Sequence, residues 1–218
     1  YVCAKFARGE PLKAQKAATL YNRAQIYSTG LNETFKKHFT EMGGTITTEQ
    51  AYGEGDTDFS AQLTKIVASK AEILFTPQYY DEVPLIVKQA HELGWKKPIL
   101  GSDSWGSAEL MNLCGNDCKG LFFSTHYAAP GAKGATKQFI EQYKAKYGYE
   151  PDAVAALTWD AARLLLQAIQ STKGLTGDVW LTSQPPRKTA DGSISTNGVC
   201  LRFQRVRKDN SRHPYHRA

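Results

Sequence analysis

Residues 71–106 read AEILFTPQYYDEVPLIVKQAHELGWKKPILGSDSWG. A short apolar strand (Ile73, Leu74, Phe75) gives way to a polar, aromatic loop. An amphipathic helix then runs to Gly94, and a second strand (Ile99, Leu100) ends in a second polar loop. This is one βαβ unit, because parallel strands need a crossover long enough to hold a helix. Open α/β sheets bind ligands in the crevice beyond the carboxyl ends of their strands, so the two loops are expected side by side at a binding edge. They carry Tyr79, Tyr80, Asp103 and Trp105. A carboxylate beside large aromatic faces suits a small organic cation or zwitterion, the acid pairing with an ammonium while the rings cover an apolar body.

Working outward, the same alternation recurs. Val2 to Arg8 has helical spacing, Ala17 to Tyr21 reads as a strand, and a loop holding Tyr27 leads to a helix from Leu31 to Met42, capped near Ser28 or Thr29. Ile46 to Tyr52 is the next strand. The acidic loop 53–58 follows, then a helix from about Phe59 to Ser69 capped by Asp56 or Thr57. After the βαβ unit come a short helix, Ala108 to Leu113, and a strand, Leu121 to Ser124. Strands and helices in strict turn predict an α/β fold with a doubly wound parallel sheet over residues 1–125.

Residues 126–134 lack a period and read as a hinge or crossover. Residues 135–173 hold two helices, Ala135 to Tyr147 closed by Gly148, and Asp152 to Ser171. The second is apolar on most sides and calls for a covering layer that this chain does not follow with. Residues 174–218 break the pattern and read as an atypical basic tail, with one plausible strand in Val199 to Val206, and are not expected to continue the native fold.

Charge supports that division. The net charge of +6 belongs to the tail, where from Trp180 onward there are eight basic residues against two acids, leaving nineteen of each sign before it. A neutral body argues against a nucleic-acid partner. No apolar run approaches the roughly 18 residues of a membrane span, and no secretory leader is present. The chain starts at Tyr1, without an initiator methionine, and reads as a piece of something longer.

Other chemistries find little support. Gly53-Glu-Gly-Asp lacks the glycine spacing and lysine of a phosphate loop and sets acids where an anion would sit. There is no Gly-x-Ser-x-Gly elbow, and the five histidines are scattered, so no enzyme activity and no cofactor are expected. Cys114 and Cys118 flank a Gly-Asn-Asp turn, which suits a small loop disulfide in an oxidising compartment; two buried thiols are the alternative. Zinc is disfavoured because His126 is the only further ligand within a dozen residues. Tyr27, Tyr52, Tyr79 and Asp103 fall just past strand ends, where ligand contacts belong. The competing reading makes them ordinary loop residues, with Asp103 as a helix cap and Trp105 and Tyr80 as rim packing.

Three runs carry a resemblance: 52–107, from YGEGDTDFSAQ through ILGSDSWGS; 113–128, LCGNDCKGLFFSTHYA; and 151–169, PDAVAALTWDAARLLLQAI. In order and spacing, residues 1–173 resemble the branched-chain amino-acid binding proteins of bacterial ABC transporters, type I periplasmic binding proteins. The resemblance implies two doubly wound lobes closing on an amino acid and presenting it to a membrane permease, in the periplasm or on a lipid-anchored extracytoplasmic protein. It implies ligand contacts by Tyr27 and Tyr79, an ammonium partner in Asp103, and Trp105 narrowing the site or stacking on the ligand. Family members usually carry Glu at the acid position, so Asp103 is shorter. Residues 1–125 would be the second lobe and 135–173 helices of an incomplete first lobe. A sensor or receptor ectodomain sharing the fold is the rival reading.

Overall fold

The computed structural model describes residues 1–172 and 202–205. Two compact units form, one from residues 1–125 with the strand at 202–205, the other from residue 126 onward. The tail reading of 174–218 falls, apart from that strand, outside the described residues.

In the first unit, strands β1 (Lys16–Asn22), β2 (Thr45–Tyr52), β3 (Ile73–Phe75), β4 (Ile99–Gly101) and β5 (Phe122–Thr125) are all parallel, in the order β2-β1-β3-β4-β5. The expected doubly wound sheet is therefore present. It gains an antiparallel edge, β6 (Arg202–Arg205), paired with β5. Helices α1 (Val2–Arg8) and α2 (Ile26–Glu41) cover one face; α3 (Ser60–Ala68), α4 (Val83–Glu92) and α5 (Ala108–Cys114) cover the other.

The order explains the layers. The step from β1 to β2 runs one way across the sheet and every later step runs back, so crossovers of a single hand must place α2 on the opposite face from α3, α4 and α5. Side chains alternate to match. Ala17, Ile73, Phe75 and Leu100 pack with Ala4, Ala7, Phe35 and Phe39, while Ala18, Leu20, Leu74 and Ile99 pack with Leu63, Ile66, Val83, Ile86 and Val87. Phe35 stacks on Phe75 with ring centroids 4.0 Å apart. Each such fully buried ring contributes about 1.5–3 kcal/mol.

Two helix starts differ from expectation, for one reason. Ser28 and Thr29 do not cap α2, which begins at Ile26 with Gln25 as N-cap. The Ser28 hydroxyl accepts from the Asn22 amide, and the Thr29 hydroxyl donates back to the Gln25 and Ile26 carbonyls from inside the first turn. Asn22 turns the chain instead, its Oδ1 accepting from the Ala24 amide at 3.0 Å. At α3, Asp56 closes its own loop by accepting from Gly53 N, and it is Asp58 that takes the Ser60 amide. Short polar side chains in a run compete for the same amides, and the sequence does not say which one wins.

Cys114 and Cys118 are joined, with Cα atoms 5.5 Å apart, and are buried beside Leu110 and Leu121. Cys3, on α1, is a free thiol, pushed up from its ordinary pKa by burial.

The second unit contains α6 (Gly134–Tyr147), closed by Gly148 in the left-handed region at φ 81°, and α7 (Ala153–Thr172). On α7, Val154, Leu157, Trp159, Leu164, Leu165 and Leu166 are exposed.

Two glycines test the packing with opposite signs. A Cβ built on Gly101 would lie 2.2 Å from the Trp105 ring, whereas one built on Gly30, inside α2, would meet nothing within 4 Å. Gly101→Ala is expected to destabilise the chain by about 1–3 kcal/mol through overpacking. Gly30→Ala is expected to stabilise it by about 0.5–1 kcal/mol by removing unfolded-state freedom. Urea unfolding of both variants checks the pair.

Candidate functional site

The carboxyl ends of β1, β3 and β4 lie side by side, and β1 and β3 are the strands between which the chain's direction across the sheet reverses. Their following connections leave toward opposite faces, which opens a crevice at that point. Tyr27 enters it from the first turn of α2, Tyr79 from the loop after β3, and Asp103 from a single 3-10 turn, Asp103–Trp105, after β4.

These three side chains meet. The Tyr27 hydroxyl donates to Asp103 Oδ1 at 2.6 Å and accepts the Ser104 amide at 3.3 Å. The rings of Tyr27 and Tyr79 stack, centroids 5.0 Å apart and planes 15° from parallel. Tyr79 keeps 44% of its surface exposed, so the stack presents an open aromatic face beside a carboxylate. Burial, helped by the Asp103 hydrogen bond, pushes the Tyr27 phenol up to about 12, so it remains a proton donor at neutral pH.

The other candidates lie elsewhere. Trp105 is 1% exposed and belongs to the core with Leu110 and Leu121, its Nε1 donating to the Gln78 carbonyl at 3.2 Å. It offers no surface on which a ligand could stack, contrary to the expected ligand contact, because Gly101 leaves a hollow that the indole fills. Tyr80 packs against the same core. Tyr52 is buried against Phe59 and donates to Glu82 Oε2 at 2.8 Å.

Glu82 heads α4 and also accepts from Asn22 Nδ2 at 3.0 Å, tying the ends of β1 and β2 to the loop that carries Tyr79. Burial raises the pKa of Glu82, and burial together with the Glu82 charge raises that of Tyr52. Ser104 and Gln78, which link the loops, escaped sequence reasoning. The available signal was their position, each adjoining a candidate residue at a strand end.

Among the described residues, no group of three or more His, Cys, Asp or Glu side chains is placed to hold a metal ion. A separate hollow in the second unit is lined by Phe139, Trp159, Asp160 and Arg163 among others. Burial raises the pKa of its acid, Asp160, and the nearby Arg163 charge acts the other way.

Comparison with known proteins agrees with this fold. A family model described as periplasmic binding protein matches residues 3–211. The chain belongs to that family. The match runs past residue 173, the end of the sequence resemblance, and takes in β6.

A Leu/Ile/Val-binding protein homolog from Brucella melitensis is 29% identical over 136 residues, 62% of this chain and 36% of the relative. The crystal structure of a leucine binding protein from Thermotoga maritima superposes with a TM-score of 0.84 at 33% identity, covering 95% of this chain and 61% of that one. A branched-chain amino acid transporter substrate binding protein from Streptococcus pneumoniae, solved with isoleucine, gives 0.75 at 28% identity, covering 85% and 53%. The chain thus spans between a third and a half of the curated relatives it matches.

The phenol at the crevice carries a pH signature. Because the folded pKa of Tyr27, about 12, exceeds its unfolded value of 10.0, its contribution to stability is fully present below pH 10 and is lost as pH rises through the folded value. Tyr27→Phe is expected to remove that part of the alkaline decline. Unfolding free energies of both proteins from pH 9 upward, compared by difference so that other tyrosines cancel, check it.

Proposed function

We propose that this chain carries one lobe's half of an amino-acid site in the solute-binding component of an ABC importer. In this reading residues 1–125 are a ligand-binding lobe, 126–134 a hinge, and 135–173 part of the opposing lobe. Asp103 takes the ligand's ammonium, Tyr27 orients that carboxylate, and the Tyr27–Tyr79 stack covers the apolar side chain. The observation that carries the reading is the meeting of the two rings and the acid at one strand-end crevice.

The chemistry selects a zwitterion with an apolar body. A carboxylate beside aromatic faces attracts a cation and repels an anion. The captured molecule is a branched-chain amino acid or a similar small amphipathic solute, handed on to a membrane permease. The family's description as periplasmic and the Cys114–Cys118 disulfide both favour an oxidising, extracytoplasmic location.

The recognition of the amine is testable on the chain itself. L-Leucine at roughly millimolar concentration, the range of a contact worth about −4 kcal/mol, is expected to shift the ring resonances of Tyr27 and Tyr79. 4-Methylpentanoate, which is leucine without its amine, is expected to leave them unmoved, and Asp103→Asn is expected to abolish the leucine response. Equal responses to the two solutes overturn the role given to Asp103.

A further inference from the structure

The ring that faces the crevice is placed from behind. Tyr79 is half exposed, and its stack on Tyr27 is the ring contact that holds it at the surface. A stack open to water leaves a side chain free to choose another rotamer unless the backbone beneath it is fixed. That backbone is the residue before it. Gln78 is fully buried, and its carbonyl accepts the Ser104 hydroxyl at 2.7 Å and the Trp105 indole N–H at 3.2 Å. Both lone pairs of one carbonyl are thereby taken by a single turn, the turn that begins with Asp103.

The two donors are not equivalent. The Ser104 hydroxyl rotates and has a second partner in Ser102 Oγ at 3.2 Å. An indole N–H points only where its ring points. The Trp105 ring, in turn, is locked in the core, over a glycine whose Cβ it would occupy. A rigid donor on the loop after β4 therefore sets the loop after β3. Through Ser104 N the same turn also meets the Tyr27 hydroxyl, so all three crevice residues are referenced to it.

We infer that Trp105 is a positioning residue of the amine site: it touches no ligand, and its N–H holds the Gln78 carbonyl so that Tyr79 stands against Tyr27 beside Asp103. Its bearing on binding rests on the reading of those three residues given above. The positioning itself is a property of the unliganded chain.

The test reads the stack without ligand. In the 218-residue chain with labelled tyrosine rings, the Tyr27–Tyr79 ring-to-ring NOE and the upfield displacement of the Tyr79 ring protons report the contact. Trp105→Phe keeps an aromatic ring over Gly101 and deletes the N–H. It is expected to lose the NOE and more than half of that displacement, and Ser104→Ala is expected to lose less. Should the Phe variant fold poorly, benzothienylalanine at position 105 deletes the same N–H at nearly unchanged shape and is expected to give the same loss.

A stack unchanged in a folded variant lacking the N–H overturns the inference and leaves Trp105 as a core ring only, since lowered stability alone would not move Tyr79 relative to Tyr27. The leucine titration of the unsubstituted chain is a separate readout. If leucine has no effect while the stack is lost in the variants, the amine reading falls and the positioning of Tyr79 stands.

Discussion

Everything at the crevice depends on one topological constraint, the reversal of strand order between β1 and β3. Connections of a single hand that leave adjacent strands in opposite directions must go to opposite faces of the sheet, so their first residues splay apart. The gap so formed is a place where backbone ends and water meet, and side chains from three different loops can enter it without competing for core volume. Tyr27 reaches it because α2 starts early, and Asp103 because β4 stops at Gly101. Neither residue would face the other if the order were 1-2-3.

Within the gap the phenol of Tyr27 does two things at once. By donating to Asp103 it fixes the carboxylate's direction, and by accepting from Ser104 N it fixes its own. A hydroxyl with both its functions engaged is a rigid spacer, held neutral by burial and by the acid beside it. The Tyr27 hydroxyl is a neutral donor, so it orients the carboxylate without neutralising it. An oriented carboxylate offers an ammonium a fixed acceptor direction. Glu82 stands in contrast: it is half buried, accepts from Tyr52 and Asn22, and braces the strand ends.

Much of this was legible from residue order, because periodicity and the punctuation by glycine are local signals. Strand positions and the layer class follow from apolar runs at regular intervals, and the placing of Tyr27, Tyr79 and Asp103 at strand ends follows from the class. What was not legible depends on competition or on distance. Ser28 and Thr29 are good caps by type, yet their hydroxyls bond inward, and only the three-dimensional path of Asn22 decides that. Trp105 sits among polar residues in the sequence and in the core in space, because what receives it is an absent side chain at Gly101. The pairing of β6 with β5 joins residues about eighty apart, with no local pattern to announce it.

The same geometry sets how strongly such an edge holds a solute. An ammonium 4 Å from a carboxylate is worth about 1 kcal/mol in bulk water and about 4 kcal/mol where the effective dielectric constant falls to 20. Near a protein surface the second figure is typical, and a stacked ring exposed over nearly half its surface still spends much of its apolar area on water. Covering the crevice changes both quantities without adding a residue to this side of it. On the proposed reading, the contacts made by Tyr27, Tyr79 and Asp103 decide which solute is held, while exclusion of water from around them decides how tightly. That reading puts selectivity in the chemistry of the strand-end crevice and affinity in the exclusion of water from it.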